Sequence, residues 1–366
     1  MLFIHNDTVH DILGMQDCIE VQEKAFRAME DGSAIHRPRI DMYTPAGRAD
    51  GYYRWGTMEG WYDGIFAIRM KSDVITWPES PEGLRTEEKY CVEPGTYCGL
   101  IMLFSSKNGE PLAMINDGVL QHMRVGGGAG IGAKHLARAD SESVGMLGAG
   151  GMARTFLKAF SVVRPIKRCK VFSPTRKNRE AFAAEMSAEL GIEVTPVDNA
   201  REAVRGVDIL STATDSMKPT FDADWLEPGM HVAMLGPCEI SPEAEARFDI
   251  RIRQGIGGLK LPDSGRVRSE IGMSPVAWIA GTAEEMRRLP PRTQGSGFGG
   301  DAPDFCDLVF GRTSGRRNDR DITYYHNMGN QGLQFASVAG LVYRKAVAKK
   351  LGRSLPTEWF VQDIRD

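Results

Sequence analysis

Apolar residues at Cys18, Val21, Ala25, Phe26 and Met29 recur with helical spacing after Asp17, which predicts an amphipathic helix over residues 17–29 with the Asp as its cap. The pattern then changes. A stretch rich in Gly, Tyr and Trp (residues 43–62) leads into apolar runs at 64–70 and 97–104. An Asn108-Gly109 turn separates the second run from residues 111–115, and the two predict a β-hairpin. Residues 126–132 read GGGAGIG, a linker composition, but the helix-favouring AKHLAR follows, so this is read as a helix of small residues packed close against a neighbour.

From residue 143 onward strands and helices alternate. Strands are predicted at 143–147, 169–172, 194–197, 207–212 and 231–235, with helices at 153–162, 177–190 and 200–204. This order predicts an α/β fold with a doubly wound parallel sheet of the Rossmann type, over about residues 125–321. The Gly- and Pro-rich segment 290–303 reads as a loop, and residues 331–350 return to a helical pattern.

The 366 residues are 42% hydrophobic and 25% charged, a globular profile long enough for two domains. With 45 Lys and Arg against 48 Asp and Glu the net charge is −3, and no basic block points to nucleic acid. The longest apolar stretches, such as 64–68 and 276–281, fall far short of the ~20 residues a membrane-spanning helix needs. No membrane partner is expected. The opening MLFIHND lacks the basic start and apolar middle of a signal peptide, so a cytoplasmic location is expected. The six cysteines are scattered without a Cys-x-x-Cys pair, which disfavours a structural metal or a disulfide framework.

The strongest chemical signal is Gly148-Ala149-Gly150-Gly151-Met152-Ala153, placed between a short apolar strand and a helix. In that context Gly148 permits a tight turn, Gly150 lets the backbone approach a diphosphate, Ala153 allows close packing, and the helix start offers free N–H groups to the anion. Residues 148–152 are therefore candidate dinucleotide contacts. Thr212, Ala213 and Thr214, at the end of a later strand, join the candidate set. An NAD site usually carries an acid at the end of the second strand, but here Phe172 is followed by Ser173, Pro174, Thr175 and Arg176. Hydroxyls and a guanidinium suit a 2′-phosphate, which predicts NADP(H) preference with NAD(H) as the alternative.

The chain reads AREAVRGVDILSTAT over residues 200–214, then Pro219, LEPGMHV from Leu226, Leu235-Gly236, and a late Gly311-Arg312, Arg316, Ile322-Thr323 and Gly329. These residues resemble the ornithine cyclodeaminase and μ-crystallin family, over about residues 30–350. The resemblance implies a Rossmann domain (125–321) inserted into an α+β substrate and dimerisation domain (1–124 with 322–366), and a homodimer. It implies an enzyme acting on amino acids or their imines, and a substrate carboxylate held by Arg39, Lys71 and Arg124, with Arg37 a close competitor for the first place. A guanidinium grips a carboxylate at two points, whereas a buried Lys can lose charge and exchange a proton. Lys71 is accordingly the candidate catalytic acid.

Departures from the family pattern bear on the reaction. Gln121-His122-Met123-Arg124-Val125 stands where the family commonly has Thr-x-x-Arg-Thr. Pro237 occupies the place of an Asp that contacts the substrate amine in cyclodeaminases, with Glu239 the nearest substitute, and Gln334 stands where the family has an acid. The leading expectation is therefore an NAD(P)H-dependent reductase of a ketimine, or an amino-acid dehydrogenase. A cyclodeaminase-type lyase that releases ammonia with internal recycling of NAD, and a non-catalytic NADP(H)-binding protein, are the alternatives. Residues 77–94 are read as an extra segment that forms a lid. His122 and His135 lie near the expected site. Trp55, Trp61, Tyr52 and Tyr53 are assigned to packing rather than to the substrate.

Overall fold

Short, wholly apolar runs become interior parallel strands because both of their faces are covered by helices. The computed structural model describes residues 1–364 except 82, 84, 260, 291, 294–296, 298 and 299. Among these, a seven-stranded parallel sheet runs in the order Glu193–Pro196, Arg168–Phe172, Ser143–Leu147, Ile209–Thr212, His231–Met234, Thr323–His326, Ile250–Arg253. Strand order reverses at Ser143–Leu147, which has its successors on both sides. In doubly wound sheets a ligand crevice opens beyond the carboxyl ends of the strands at that point.

The remaining strands form a mixed sheet whose main path is Val267–Ile271, Ser274–Ile279, Ile40–Pro45, Gly51–Tyr62, Ile65–Thr76, Cys98–Ser105, Pro111–Asn116, Leu2–Ile4, Arg353–Ser354. The hairpin expected around Asn108-Gly109 is its Cys98–Ser105 and Pro111–Asn116 pair. Helices Met15–Ala28 and Gln331–Lys349 pack on this half, with Phe26, Leu333 and Phe335 fully buried between them and the strands. The first of these starts after Gly14 rather than at Asp17, which sits in its first turn, where a carboxylate complements the helix dipole.

The small-residue helix, Gly118–Leu136, joins the two halves. A Cβ on Gly126 would stand 2.6 Å from the Thr155 carbonyl oxygen, and one on Gly132 would stand 2.3 Å from the Tyr325 ring. Only glycine lets the helix lie this close to helix Gly151–Val163 on one side and to the parallel sheet on the other.

Sheet membership departs from the expected division at two places. Thr323–His326 lies inside the parallel sheet, although the return to the substrate half was placed at residue 322. The hairpin Val267–Ile279 joins the mixed sheet through pairing of Ala277 with Asp41, although it falls within 125–321. Both strands pair with partners far away in sequence, which local patterning does not encode. The loop read at 290–303 lies partly outside the described residues; of the rest, Thr293 donates to the Gly272 carbonyl and Arg292 pairs with Asp263 at 2.8 Å.

Candidate active site

The coenzyme side of the site is backbone. Gly148 has φ +110°, and a Cβ there would meet the Ala213 carbonyl oxygen at 2.3 Å, so the turn after Leu147 requires glycine. Gly150 is the N-cap of helix Gly151–Val163 with no side chain capping it, and a Cβ built on it has open space around it. The free N–H groups of this helix start therefore face a cavity and not protein, as a diphosphate cradle demands. Gly151 packs against the His122 ring.

A single cavity of about 610 Å³ joins this cradle to the mixed sheet. Gly148, Ala149, Gly150, Gly151, Met152, Ser173, Ala213 and Thr214 line it, and so do Arg39, Lys71 and Arg124. Thr175 and Arg176 lie beyond its lining; Arg176 is exposed and pairs with Glu180 at 2.7 Å. Thr212 is buried behind the wall, where its hydroxyl donates to Glu239. Glu239 does not face the cavity at all. Its carboxylate accepts from the Thr212 and Thr214 hydroxyls and from the backbone N–H groups of Thr214, Leu235 and Gly236, at 2.6–3.0 Å, tying two strand ends together. The expectation that it substitutes for the missing Asp is therefore corrected.

The substrate side is one face of the mixed sheet. Along Ile65–Thr76 side chains alternate, so Arg69, Lys71, Asp73 and Ile75 share a face. Register supplies their neighbours. Lys71 lies between Gly56 and Gly99, Arg69 between Met58 and Ile101, and Asp73 opposite Arg54, while Ile75 is opposite Lys89. The glycines beside Lys71 leave room for carboxylates: a Cβ on Gly56 would be 2.2 Å from Asp41 Oδ1, and one on Gly99 would be 2.0 Å from Asp117 Oδ1.

Those carboxylates hold the flanking cations. Asp41 accepts from Arg39 Nε and Nη2 at 3.0 and 2.6 Å. Asp117 accepts from Arg69 Nε at 2.5 Å, and though it is the N-cap of helix Gly118–Leu136 its side chain caps nothing. Asp73 takes Arg54 in a two-point pair and also Lys71 Nζ at 2.9 Å, and Arg54 reaches on to Glu87 at 3.0 Å. Arg37 points elsewhere, pairing with Glu59 outside the cavity.

Arg124 differs from all of these. It is buried, yet among the described residues no carboxylate pairs with it: its guanidinium donates to the amide oxygens of Gln121 (2.9 and 3.2 Å) and Gln334 (2.7 Å) and lies over the Phe335 ring. Gln334 is anchored in turn by Gln22 at 2.7 Å. Burial, with Arg69 adding to it against the upward pull of Asp117, brings the Arg124 group down to about 9, so it remains charged at neutral pH with no carboxylate in contact among the described residues. Lys71 is held well below the usual lysine range by burial first and then by Arg54, with Lys89 and Arg69 contributing, against the upward pull of Asp73. His122 is lowered by burial and makes no hydrogen bond among the described residues. His135 is outside the cavity, bound to Glu23.

Arg54, Arg69, Glu87, Lys89 and Tyr97 line the cavity without having been expected there. The readable sign was the period-two run Arg69, Lys71, Asp73. Within the segment read as a lid, Glu87 and Lys89 line the cavity; Glu87 N–H donates to the Asp215 carbonyl, Met217 N–H to the Arg85 carbonyl, and the short strand Glu88–Cys91 carries Lys89. Tyr52, Tyr53, Trp55 and Trp61 stay out of the lining.

Known proteins resemble this chain along most of its length. An uncharacterised cyclodeaminase of Sinorhizobium fredii is 28% identical over 345 residues, covering 92% of each chain. A Δ1-pyrroline-2-carboxylate reductase of Bacillus cereus is 26% identical, covering 80% of this chain and 82% of its own. The solved structure of Thermococcus litoralis Δ1-pyrroline-2-carboxylate reductase, in complex with NADH and L-proline, superposes with a TM-score of 0.75 at 26% identity, over 97% of this chain and 100% of that one. The model of the ornithine cyclodeaminase/mu-crystallin family matches residues 85–350, and the chain belongs to that family.

Proposed function

We propose that the chain is an NAD(P)H-dependent reductase of the C=N bond of an imino acid, equivalently an amino-acid dehydrogenase in reverse. The observation that carries this reading is Arg124, a buried guanidinium ligated only by neutral amides, in one cavity with Lys71 and the glycine cradle. A buried charge without a counter-ion is costly, and a substrate carboxylate relieves that cost with a two-point grip.

The cradle fits a dinucleotide: Gly148 and Gly150 supply the turn and the open approach, and the start of helix Gly151–Val163 supplies N–H donors. When bound, the coenzyme supplies hydride. The protein's own residues do the rest. Arg124 grips the carboxylate, Arg39 lines the other flank, and Lys71 Nζ holds the proton that goes to the imine nitrogen. Asp73, itself held by Arg54, fixes Nζ in place, and the lowered proton affinity of Lys71 makes it a willing donor. The lyase alternative is disfavoured because Leu235, Gly236 and Pro237 bring no carboxylate to the cavity and Glu239 is fully hydrogen-bonded behind it.

NADP(H) is the preferred coenzyme in this reading. Ser173 and Asn178 line the cavity beyond Phe172 without an acid, and the exposed Arg176 is restrained by one solvent-screened i,i+4 pair with Glu180, easily exchanged for a phosphate. A homodimer is supported by the outer face of the mixed sheet, where Trp278, Met42 and Phe66 are 40%, 49% and 38% exposed. Six free thiols suit a reducing, cytoplasmic setting.

The test is a panel of cyclic imino acids and of 2-oxo acids with ammonia, followed by NADPH absorbance and by ammonia. Stoichiometric NADPH consumption supports the reductase. Ammonia release without net change in coenzyme identifies a lyase, and coenzyme binding without turnover of any substrate overturns the enzyme reading. Tighter binding of NADH than of NADPH overturns the coenzyme preference, and twice the monomer mass in light scattering supports the dimer.

A further inference from the structure

The parallel-sheet half brings little charge to the anion its cradle is shaped for. Among the described residues, Arg39, Arg54, Arg69, Lys71 and Lys89 reach the cavity from the mixed-sheet half and Arg124 from the joining helix, and no lysine or arginine of the parallel-sheet half lines it. Arg154, on the cradle helix itself, is committed elsewhere: it donates to the Ala149 carbonyl at 2.7 Å and pairs with Glu185 at 2.7 Å. A coenzyme diphosphate carries two negative charges, and the dipole of one helix start answers roughly half of one.

His122 stands where that charge is lacking. It lies in helix Gly118–Leu136 two residues before Arg124, hence about 200° around the helix from it. The two side chains leave on nearly opposite sides, Arg124 to Gln334 and the Phe335 ring, His122 to Gly151 at the start of the cradle helix. A Cβ on Gly151 would meet His122 Cε1, Nε2 and Nδ1 at 2.7, 3.0 and 3.2 Å, so this edge of the imidazole fills the place of the missing side chain. Gly151 is helical and has no positive φ, so the turn does not demand glycine there; the ring does. His122 lines the cavity, and among the described residues neither nitrogen has a hydrogen-bond partner or is sealed away inside protein.

We propose that His122 is a ligand of the coenzyme diphosphate, donating from its imidazole to a phosphate oxygen that rests on the start of helix Gly151–Val163. The proton it needs for full charge is taken up as the coenzyme binds. Without coenzyme, burial lowers the proton affinity of the ring and Arg124 and Arg154 add to this, against the pull of Asp117. Those three are the charged groups acting on it, two from its own helix and Arg154 from the helix it packs against. A dianion arriving beside the ring reverses the balance and favours the imidazolium. Coenzyme is therefore held most tightly at low pH, and affinity falls as pH rises through the proton affinity of the bound state. The inference needs the dinucleotide cradle and is independent of the substrate.

The experiment titrates NADH into the full chain by calorimetry at about pH 6, 7 and 8, in two buffers of different ionisation enthalpy, for the wild type, His122→Gln and His122→Phe. NADH is the probe because the 2′-phosphate of NADPH itself titrates at about pH 6. Gln keeps a donor without charge, and Phe keeps a flat ring against Gly151 without either. The wild type is expected to take up a fraction of a proton at about pH 7, with Kd rising about ten-fold from pH 6 to 8. In H122Q and H122F the uptake vanishes, Kd varies with pH by less than about two-fold, and affinity at pH 6 is about ten-fold weaker than in the wild type. Wild-type binding without proton uptake or pH dependence overturns this inference alone, as does uptake that persists in either variant, because another group then carries the proton. An affinity loss in H122F that is equal at pH 6 and 8 assigns the ring to packing and also overturns it. If NADH binds at no pH, the coenzyme reading of the cradle fails and the inference falls with it.

Discussion

Lys71 Nζ lies 2.9 Å from Asp73 Oδ2, the only carboxylate paired with it among the described residues. Asp73 is shared with Arg54 and is itself held well below the usual carboxylate range, since Arg54 and Lys71 outweigh its burial. The amine is thus surrounded by cations, and one anion pulls its proton affinity back up. In Asp73→Asn that support vanishes, and the proton affinity of Lys71 falls further. If the protonated amine is the acid, the alkaline limb of the kcat/KM profile moves to lower pH in D73N. Lys71→Met removes the donor and lowers kcat by about 10²–10⁴, with NADPH affinity kept. A pH–rate series on both variants checks the sign.

Arg124→Lys replaces a planar fork by a point charge and gives up one or both glutamine contacts. Charge-assisted bonds are worth about 1.5–3 kcal/mol, so KM for the acid is expected to rise roughly 10- to 100-fold. The dissociation constant for NADPH, measured by fluorescence titration, stays near the wild-type value.

Two glycine substitutions separate folding from binding. In Gly99→Ala the new Cβ meets the Asp117 carboxylate, which must leave Arg69, and the expected loss is about 3 kcal/mol of stability in chemical denaturation. In Gly150→Ala the Cβ enters open space at φ −87°, so stability changes by less than about 1 kcal/mol while NADPH binding weakens several-fold. Equal stability losses in both would contradict the assignment of that open space to a diphosphate.

Glu23 joins helix Met15–Ala28 to helix Gly118–Leu136 through Lys134 at 2.6 Å and His135 at 3.0 Å. Burial resists its ionisation, but the bonds from His135, Lys134 and Arg27 prevail and bring it from 4.5 down to about 2. A carboxyl depressed on folding stabilises the native state fully above its unfolded value, and that contribution is lost as pH falls through the folded one. Roughly 2–3 kcal/mol is therefore expected to disappear between about pH 4.5 and 2. In Glu23→Gln, urea midpoints measured across that range should show a flatter acid limb.

The coenzyme half was legible because its signals are local. A run such as Ser143–Leu147 followed at once by Gly148 and Gly150 contains strand, turn and helix start within ten residues. Arg39, Lys71 and Arg124 were reached through resemblance, and they do share one cavity. What surrounds them depends on register between distant strands: no pattern near Gly56 announces that Asp41 needs its missing side chain, and nothing near Asp117 announces Gly99. Glu239 misled for the same reason. Its position two residues after Pro237 looked available, and only the convergence of the Thr212 and Thr214 hydroxyls and three backbone amides shows its carboxylate to be occupied.

Thr323–His326 is an interior strand of the parallel sheet, flanked by His231–Met234 and Ile250–Arg253. Cutting the chain before it would leave two neighbours without the strand that bridges them, with their edge amides and carbonyls open to intermolecular pairing. A fragment comprising 125–321 is accordingly expected to aggregate when expressed alone, and the two halves of this molecule to be made, inherited and lost together.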